Sequence, residues 1–261
     1  MRKRLSLTLA LVVGVAGAVV ASTALAKWGP TVTGSDGNTH AINVQVAPKK
    51  LSKSKPTPAT LKVATRTGTT TAPNGIPSPA VRAVVDFDRN LKLFTKGLST
   101  CSADRLQNVS TDAAIAACGK ARIGSGAATA LLAVGAQVFT QNQTITAFNG
   151  VPQGGKPSVL LHTYGTSPVQ VTLVLNGVIS NYNKQGFGPR LDIDIPLIAG
   201  GTGALTSFSA SINRKFNYKG KKRSFVTAMC RKSPLRARGA FTFKDGVTLT
   251  SPSTHACTKK K

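Results

Sequence analysis

Glutamate is absent from this chain: all eight acidic residues among its 261 are aspartate, set against 34 lysines and arginines for a formal net charge of +26. H-E-x-x-H zinc sites, glutamate general bases and a standard EF-hand loop closed by a bidentate glutamate are therefore excluded. Aromatic residues make up 5 % of the sequence, and its single tryptophan is Trp28, which argues against a platform of stacked sugars. The cysteines form no C-x-x-C pair, and only His255 stands close to one, Cys257, so a zinc centre has little support. No stretch after residue 26 is long and apolar enough to span a bilayer.

The first residues carry an address. Arg2, Lys3 and Arg4 precede an apolar stretch from Leu5 to Ala21, and Ala24-Leu25-Ala26 supplies the small residues read by a signal peptidase. Residues 1–26 are expected to be a cleaved secretory signal. Export brings the four cysteines into an oxidising environment. Four thiols allow three pairings. Cys101–Cys118 and Cys230–Cys257 are favoured because each pair brackets one compact local unit, and each closed loop contributes about 3 kcal/mol in the chain-entropy view.

Residues 27–80 read as an N-terminal leader with short strands and a linker rich in Pro, Thr and Lys, in which Lys27 to about Gly37 looks frayed. Ile42, Val44 and Val46, and then Leu61, Val63 and Thr65, alternate with polar residues, so strands from 40–66 are candidates to join the domain that follows. That domain is placed at 81–261. Val81 to Asp88, Val169 to Asn176, Leu191 to Ile195 and Ser207 to Asn213 alternate with period two, the signature of half-buried antiparallel strands. Asp245-Gly246 between two apolar runs marks a hairpin. Ser110-Thr111-Asp112 followed by an alanine-rich run to Cys118 reads as one short helix, with Gly119 as its stop. The fold class expected is all-β, a β-sandwich or jelly roll with one short helix.

Three groups of residues are candidates for chemistry. Asp86, Asp88, Asp192 and Asp194 form two D-x-D pairs whose carboxylates share a face of their strand, and they are weak candidates for a hard cation. The bland alternative is pairing with lysine or arginine. His162 lies among Val159, Leu160, Leu161 and Tyr164. A Ser-His-Asp group assembles in space rather than in sequence, but no G-x-S-x-G elbow is present. Gly119 to Gly126 and Gly200-Gly201-Thr202-Gly203 do not continue into a phosphate-binding motif and read as turns, so no cofactor is expected and no catalytic residue is assigned.

Charge is the strongest signal. Arg214, Lys215, Lys219, Lys221, Lys222 and Arg223 surround Phe216 and Tyr218, a composition suited to holding a polyanion by charge and stacking. The partners expected are anionic cell-wall polymers or other extracellular polyanions, with no intracellular nucleic-acid role.

The segment Lys96-Gly97-Leu98-Ser99-Thr100-Cys101, the helix ending at Cys118 with Gly124-Ser125-Gly126-Ala127-Ala128 after it, Ile195 to Gly201, Tyr218 to Ser224 and Phe241 to Gly246 together resemble uncharacterised secreted β-rich proteins of high-GC Gram-positive (actinobacterial) type. The resemblance covers roughly residues 80–258 and implies a secreted, disulfide-bonded β domain without implying an activity. The reading that follows is a secreted, non-enzymatic cell-envelope or extracellular protein with a basic C-terminal region. The alternative is an extracellular hydrolase or carbohydrate-binding β-sandwich domain.

Overall fold

The computed structural model describes residues 28–260; the signal read at 1–26 lies outside the described residues. In chain order the strands are β1 (Val32–Thr33), β2 (Asn38–Ala47), β3 (Lys50–Ser52), β4 (Thr57–Pro58), β5 (Thr60–Thr69), β6 (Ala80–Asp88), β7 (Leu91–Leu93), β8 (Arg122–Val134), β9 (Gln137–Gln153) and β10 (Lys156–Gly165). They continue with β11 (Val171–Asn181), β12 (Phe187–Asp194), β13 (Gly203–Ile212), β14 (Lys215–Tyr218), β15 (Lys221–Ser224), β16 (Val226–Ala228), β17 (Leu235–Phe243), β18 (Thr248–His255) and β19 (Thr258–Lys260). Among the described residues one α-helix, α1 (Thr111–Cys118), interrupts them.

Twelve strands make one sheet in the order β1-β2-β5-β13-β8-β9-β10-β11-β12-β6-β17-β18, and every pairing within it is antiparallel. The fold is all-β. The sheet rolls up until β18 comes back beside β2, and side chains make the closure. Ser253 Oγ accepts from the Val44 amide at 2.9 Å, and Ser251 Oγ lies 2.9 Å from His40 Nδ1. Pro252 lies between those serines and has no N–H to give a backbone ladder, as suits a proline on an edge strand. His40 is fully buried at this seam, its ring 4.1 Å from that of Phe241. Burial pulls its pKa down from 6.5 to about 4.

Period-two alternation carries the apolar side chains of each wall strand inward. Val85 and Phe87 on β6, Leu161 on β10, Leu175 and Ile179 on β11, Ile193 on β12 and Phe241 on β17 meet in one core. Successive wall strands run in opposite directions, several of them joined by crossovers to strands that are not their neighbours, and this sorts the connections between two ends. At the loop end lie 70–79, 135–136, 166–170, 195–202 and 244–247. At the capped end lie 48–59, 89–121, 154–155, 182–186, 213–234 and 256–260. Three small sheets lie at the capped end: β4-β16-β7, the parallel pair β19-β3 and the pair β14-β15.

Both disulfides are at the capped end. Cys101 bonds to Cys118 and Cys230 to Cys257, the two local pairs expected, and no cysteine among the described residues is free. Thiols held this way place the chain outside a reducing cytosol. No helix of the described residues is long and apolar enough to cross a membrane. Ser110 caps α1 by accepting from the Ala113 amide at 3.2 Å. Ala114 and Cys118 on the helix join Leu106, Phe148 and Leu160 in a second, smaller core on the outer face of β9 and β10.

Gly119 caps α1 at its C-terminus as expected, but with right-handed angles, and it opens a 3-10 turn, Gly119–Ala121. Two other local expectations change. Gly124 and Gly126 are not turn residues but lie within β8, where they face Ile212 and Ala210 of β13 across a close backbone contact that a Cβ would fill. The frayed leader is partly a strand, since β1 pairs with β2 and the Arg66 guanidinium lies 4.1 Å over the Trp28 ring.

Candidate polyanion interface

The basic run from Arg214 to Arg223 forms a hairpin, β14 paired with β15, in register Tyr218↔Lys221 and Phe216↔Arg223. Its two-residue turn is Lys219-Gly220, with φ of 50° and 69°. Two successive left-handed residues give the type I′ geometry that matches strand twist, and glycine takes the second position without strain. The hairpin is seated by its aromatics. Phe216 and Tyr218 lie 6.0 and 5.9 Å from the Phe94 ring, while the Tyr218 ring packs on Gly97, whose φ of +79° and missing side chain allow the approach.

The cations stay outside. Lys215, Lys219, Lys221, Lys222 and Arg223 are exposed. The ion pairs among the described residues are Arg82–Asp192, Arg190–Asp86 and Arg238–Asp86, so none of the hairpin's cations is neutralised by a carboxylate. Arg223 lies 5.4 Å over Phe94 and the Lys219 ammonium 5.7 Å over Tyr218, contacts that orient a cation while leaving its charge available. Arg214 differs: it is half-buried, and its Nε is enclosed without a hydrogen-bond partner. Beside the hairpin an open depression of about 480 Å³ is lined by Pro58, Lys215, Phe216, Asn217, Lys222 and Arg223.

Sequence position had scattered the other contributors to this surface. Lys49, Lys50, Lys53 and Lys55 fell in the presumed linker, Lys92 and Lys96 beside β7, and Lys259 and Lys260 at the tail; all are exposed and all belong to the capped end. Backbone bonds gather them: Lys259 pairs with Leu51, Thr227 with both Lys92 and Pro58, and the Cys230 amide donates to Ser52. The loop end has little basic charge by comparison, with Lys244 in a connection and Arg66 and Arg82 on nearby strands. Only their lysine-rich composition, read without regard to position, could have signalled the gathered set.

The two D-x-D pairs do sit on neighbouring strands, β6 and β12, yet arginines occupy the space between them. Asp86 is 2 % exposed and takes Arg190 Nε at 2.6 Å and Arg238 Nε at 2.8 Å. Burial pushes its carboxyl up, and hydrogen bonds from the two guanidiniums outweigh that and hold it below its usual range. Tyr182 and Phe187 cover the cluster, with Arg190 4.0 Å over Tyr182 and Arg238 4.8 Å over Phe187. Asp88 is spent on Asn90 and on the Arg236 amide, and Asp192 on Arg82. Asp194 joins none of these contacts. Among the described residues no three His, Cys, Asp or Glu side chains gather as a metal set.

The histidines are also kept apart. His162 is fully buried, and its Nε2 lies 3.0 Å from the Val109 carbonyl on the segment leading into α1. Burial lowers its pKa, opposed by that hydrogen bond. His40 meets a serine but no carboxylate, and both groups are fully enclosed in the seam. None of these arrangements presents a nucleophile and base to a substrate. No family model, no curated protein and no solved structure matches this chain, so what the site does must be read from its own geometry.

Proposed function

We propose that this is a secreted, non-enzymatic protein of the cell envelope, of the high-GC Gram-positive type its sequence resembles, that attaches to anionic polymers through its capped end. The observation that carries the reading is segregation of charge. Exposed lysines and arginines from distant parts of the sequence collect around one end of the barrel, where their ion pairs with aspartate are missing among the described residues. A focused field of one sign attracts a polyanion from a distance and holds it by release of its counterions. The Phe94, Phe216 and Tyr218 cluster fixes the hairpin so that its cations are presented in register.

Binding of the purified protein to isolated cell walls, and to a polyphosphate chain as a defined probe, tests this. Lys221→Gln/Lys222→Gln/Arg223→Gln should lower the affinity at least tenfold with the fold unchanged. Equal binding by the triple variant overturns the assignment of the hairpin.

A further inference from the structure

The barrel is not filled to its axis. Between its walls lies a cavity of about 90 Å³, bounded by Val63, Val85, Leu161, Leu175, Ile193 and Phe208 among others, and Thr65 is the one polar residue in that lining. Protein interiors are ordinarily packed with few voids larger than a water molecule. An apolar void stays dry and takes apolar guests, whereas water needs several polar partners to enter. Small side chains maintain the space: Ala83 and Ala210 contribute to the lining, and Gly126 faces Ala210 from β8.

Toward the capped end the cavity meets Phe225, 2 % exposed, and the half-buried Leu93 and Ile212. Toward the loop end it meets Leu205 and Ile195, which are also half-buried. There Ile198 folds inward onto Ala130, Leu132, Leu173 and Leu205. It hangs from a turn in which Ala199, Gly200 and Gly201 all have positive φ, fastened to the wall by Ala133 N–H donating to Thr202 O. Val134 and Val138, at the facing ends of β8 and β9, and Val169 and Leu197, on connections of this same rim, are exposed between 39 % and 59 %, while Val151, 48 % exposed, lies at the other end of β9. Exposed apolar groups gathered at the mouth of an apolar cavity suit the capture of an apolar molecule.

A polar feature lies between rim and cavity. The register carries Gln141, Gln143 and Thr163 onto the inner face, nearer the rim than Leu161, and all three are at most 4 % exposed. The Thr163 hydroxyl has no hydrogen-bond partner among the described residues. A buried hydroxyl left unpaired is costly. These groups are neutral, and among the described residues no lysine or arginine lines the cavity, so the partner they suit is neutral too, since a carboxylate buried without a cation is strongly disfavoured.

We propose that the barrel interior binds a short aliphatic molecule with a neutral polar end, its hydrocarbon in the central cavity and its polar end toward Thr163 and Gln143, admitted past Ile198 at the loop end. Methyl and amide NMR of the purified protein, titrated with benzene, 1-hexanol and hexanoate at pH 7, tests it. Benzene and 1-hexanol should shift the Val85, Leu161, Leu175 and Ile193 methyls saturably, while Leu106 in the outer core stays still. 1-Hexanol should in addition move Thr163 and Gln143, and hexanoate should do neither. Ala210→Leu, or Ala210→Val if the larger residue does not fold, should reduce the affinity at least tenfold, and Ile198→Ala should speed exchange of the guest. Absence of saturable shifts with both neutral guests overturns the site. Binding of hexanoate equal to that of 1-hexanol overturns the polar end, and unchanged exchange in Ile198→Ala overturns the route.

Discussion

The two ends of the barrel answer different demands. At the loop end, the strand ends and their connections carry Val134, Val138, Val169 and Leu197 into solvent and little basic charge. At the capped end, long excursions bring in both disulfides, three accessory sheets and a dense field of lysine and arginine. Like charges repel one another, and the capped end holds only Asp104 and Asp112 against its many cations, with no ion pair between them among the described residues. It holds its shape through covalent links and through aromatic seats such as Phe94 under the hairpin. The lesson is that the cross-links stand where the charge is, and that the end free of them can afford a looser rim.

The largest effect expected follows from removing those links. Cys230→Ser/Cys257→Ser should cost about 3.5 kcal/mol and Cys101→Ser/Cys118→Ser about 3 kcal/mol in the chain-entropy view. Urea midpoints measure the loss. Hydrogen exchange should rise first in β7 and β16 and leave the 135–136 turn unaffected; uniform acceleration would erase the distinction between the ends.

Asp86 tests the wall between them. Asp86→Ala strands Arg190 and Arg238 beneath Tyr182 and Phe187, and breaking such a buried pair costs about 3 kcal/mol. A loss below 1 kcal/mol would show that the cluster is a solvated face.

The seam gives a pH dependence of fixed sign. His40 has its folded pKa near 4 against about 6.5 in the unfolded chain, so the unfolded state takes up protons first as pH falls. Its contribution is intact above pH 6.5, declines between 6.5 and 4, and is lost by about 3 kcal/mol below that range. Stability curves of the protein and of His40→Gln should therefore converge as pH drops from 7 to 4; parallel curves would contradict the buried neutral imidazole. Smaller still, Ser110→Ala should cost about 1 kcal/mol by uncapping α1, seen as a lower melting temperature.

Much of the wall was legible because its side chains alternate: Val85 and Phe87, or Ile193 beside Asp192 and Asp194, announce strands with one buried face. The helix was legible from Ser110 and the alanines after it. Strand β9 was not, because Gln141 and Gln143 put amides on the inner face where the pattern asks for hydrocarbon. Nor was β8, whose inward glycines mimic a turn. Asp86 and Arg190 are 104 residues apart in sequence, and only the pairing of β6 with β12 makes an ion pair of them. The hairpin's basic composition could be read directly, whereas the arrival of Lys49, Lys50, Lys92, Lys259 and Lys260 at the same end depends on the topology of the whole barrel.

We propose that the capped end holds a polyanion through cations that have no carboxylate partner among the described residues. The most direct test is the salt dependence of polyphosphate binding, measured for the protein and for Lys221→Gln/Lys222→Gln/Arg223→Gln. Each cation that contacts the polymer contributes somewhat less than one to the slope of log affinity against log salt, so the triple variant should lose about 2 from that slope, with its unfolding midpoint within about 0.5 kcal/mol of the parent. Identical slopes, with affinity unchanged, would contradict the account.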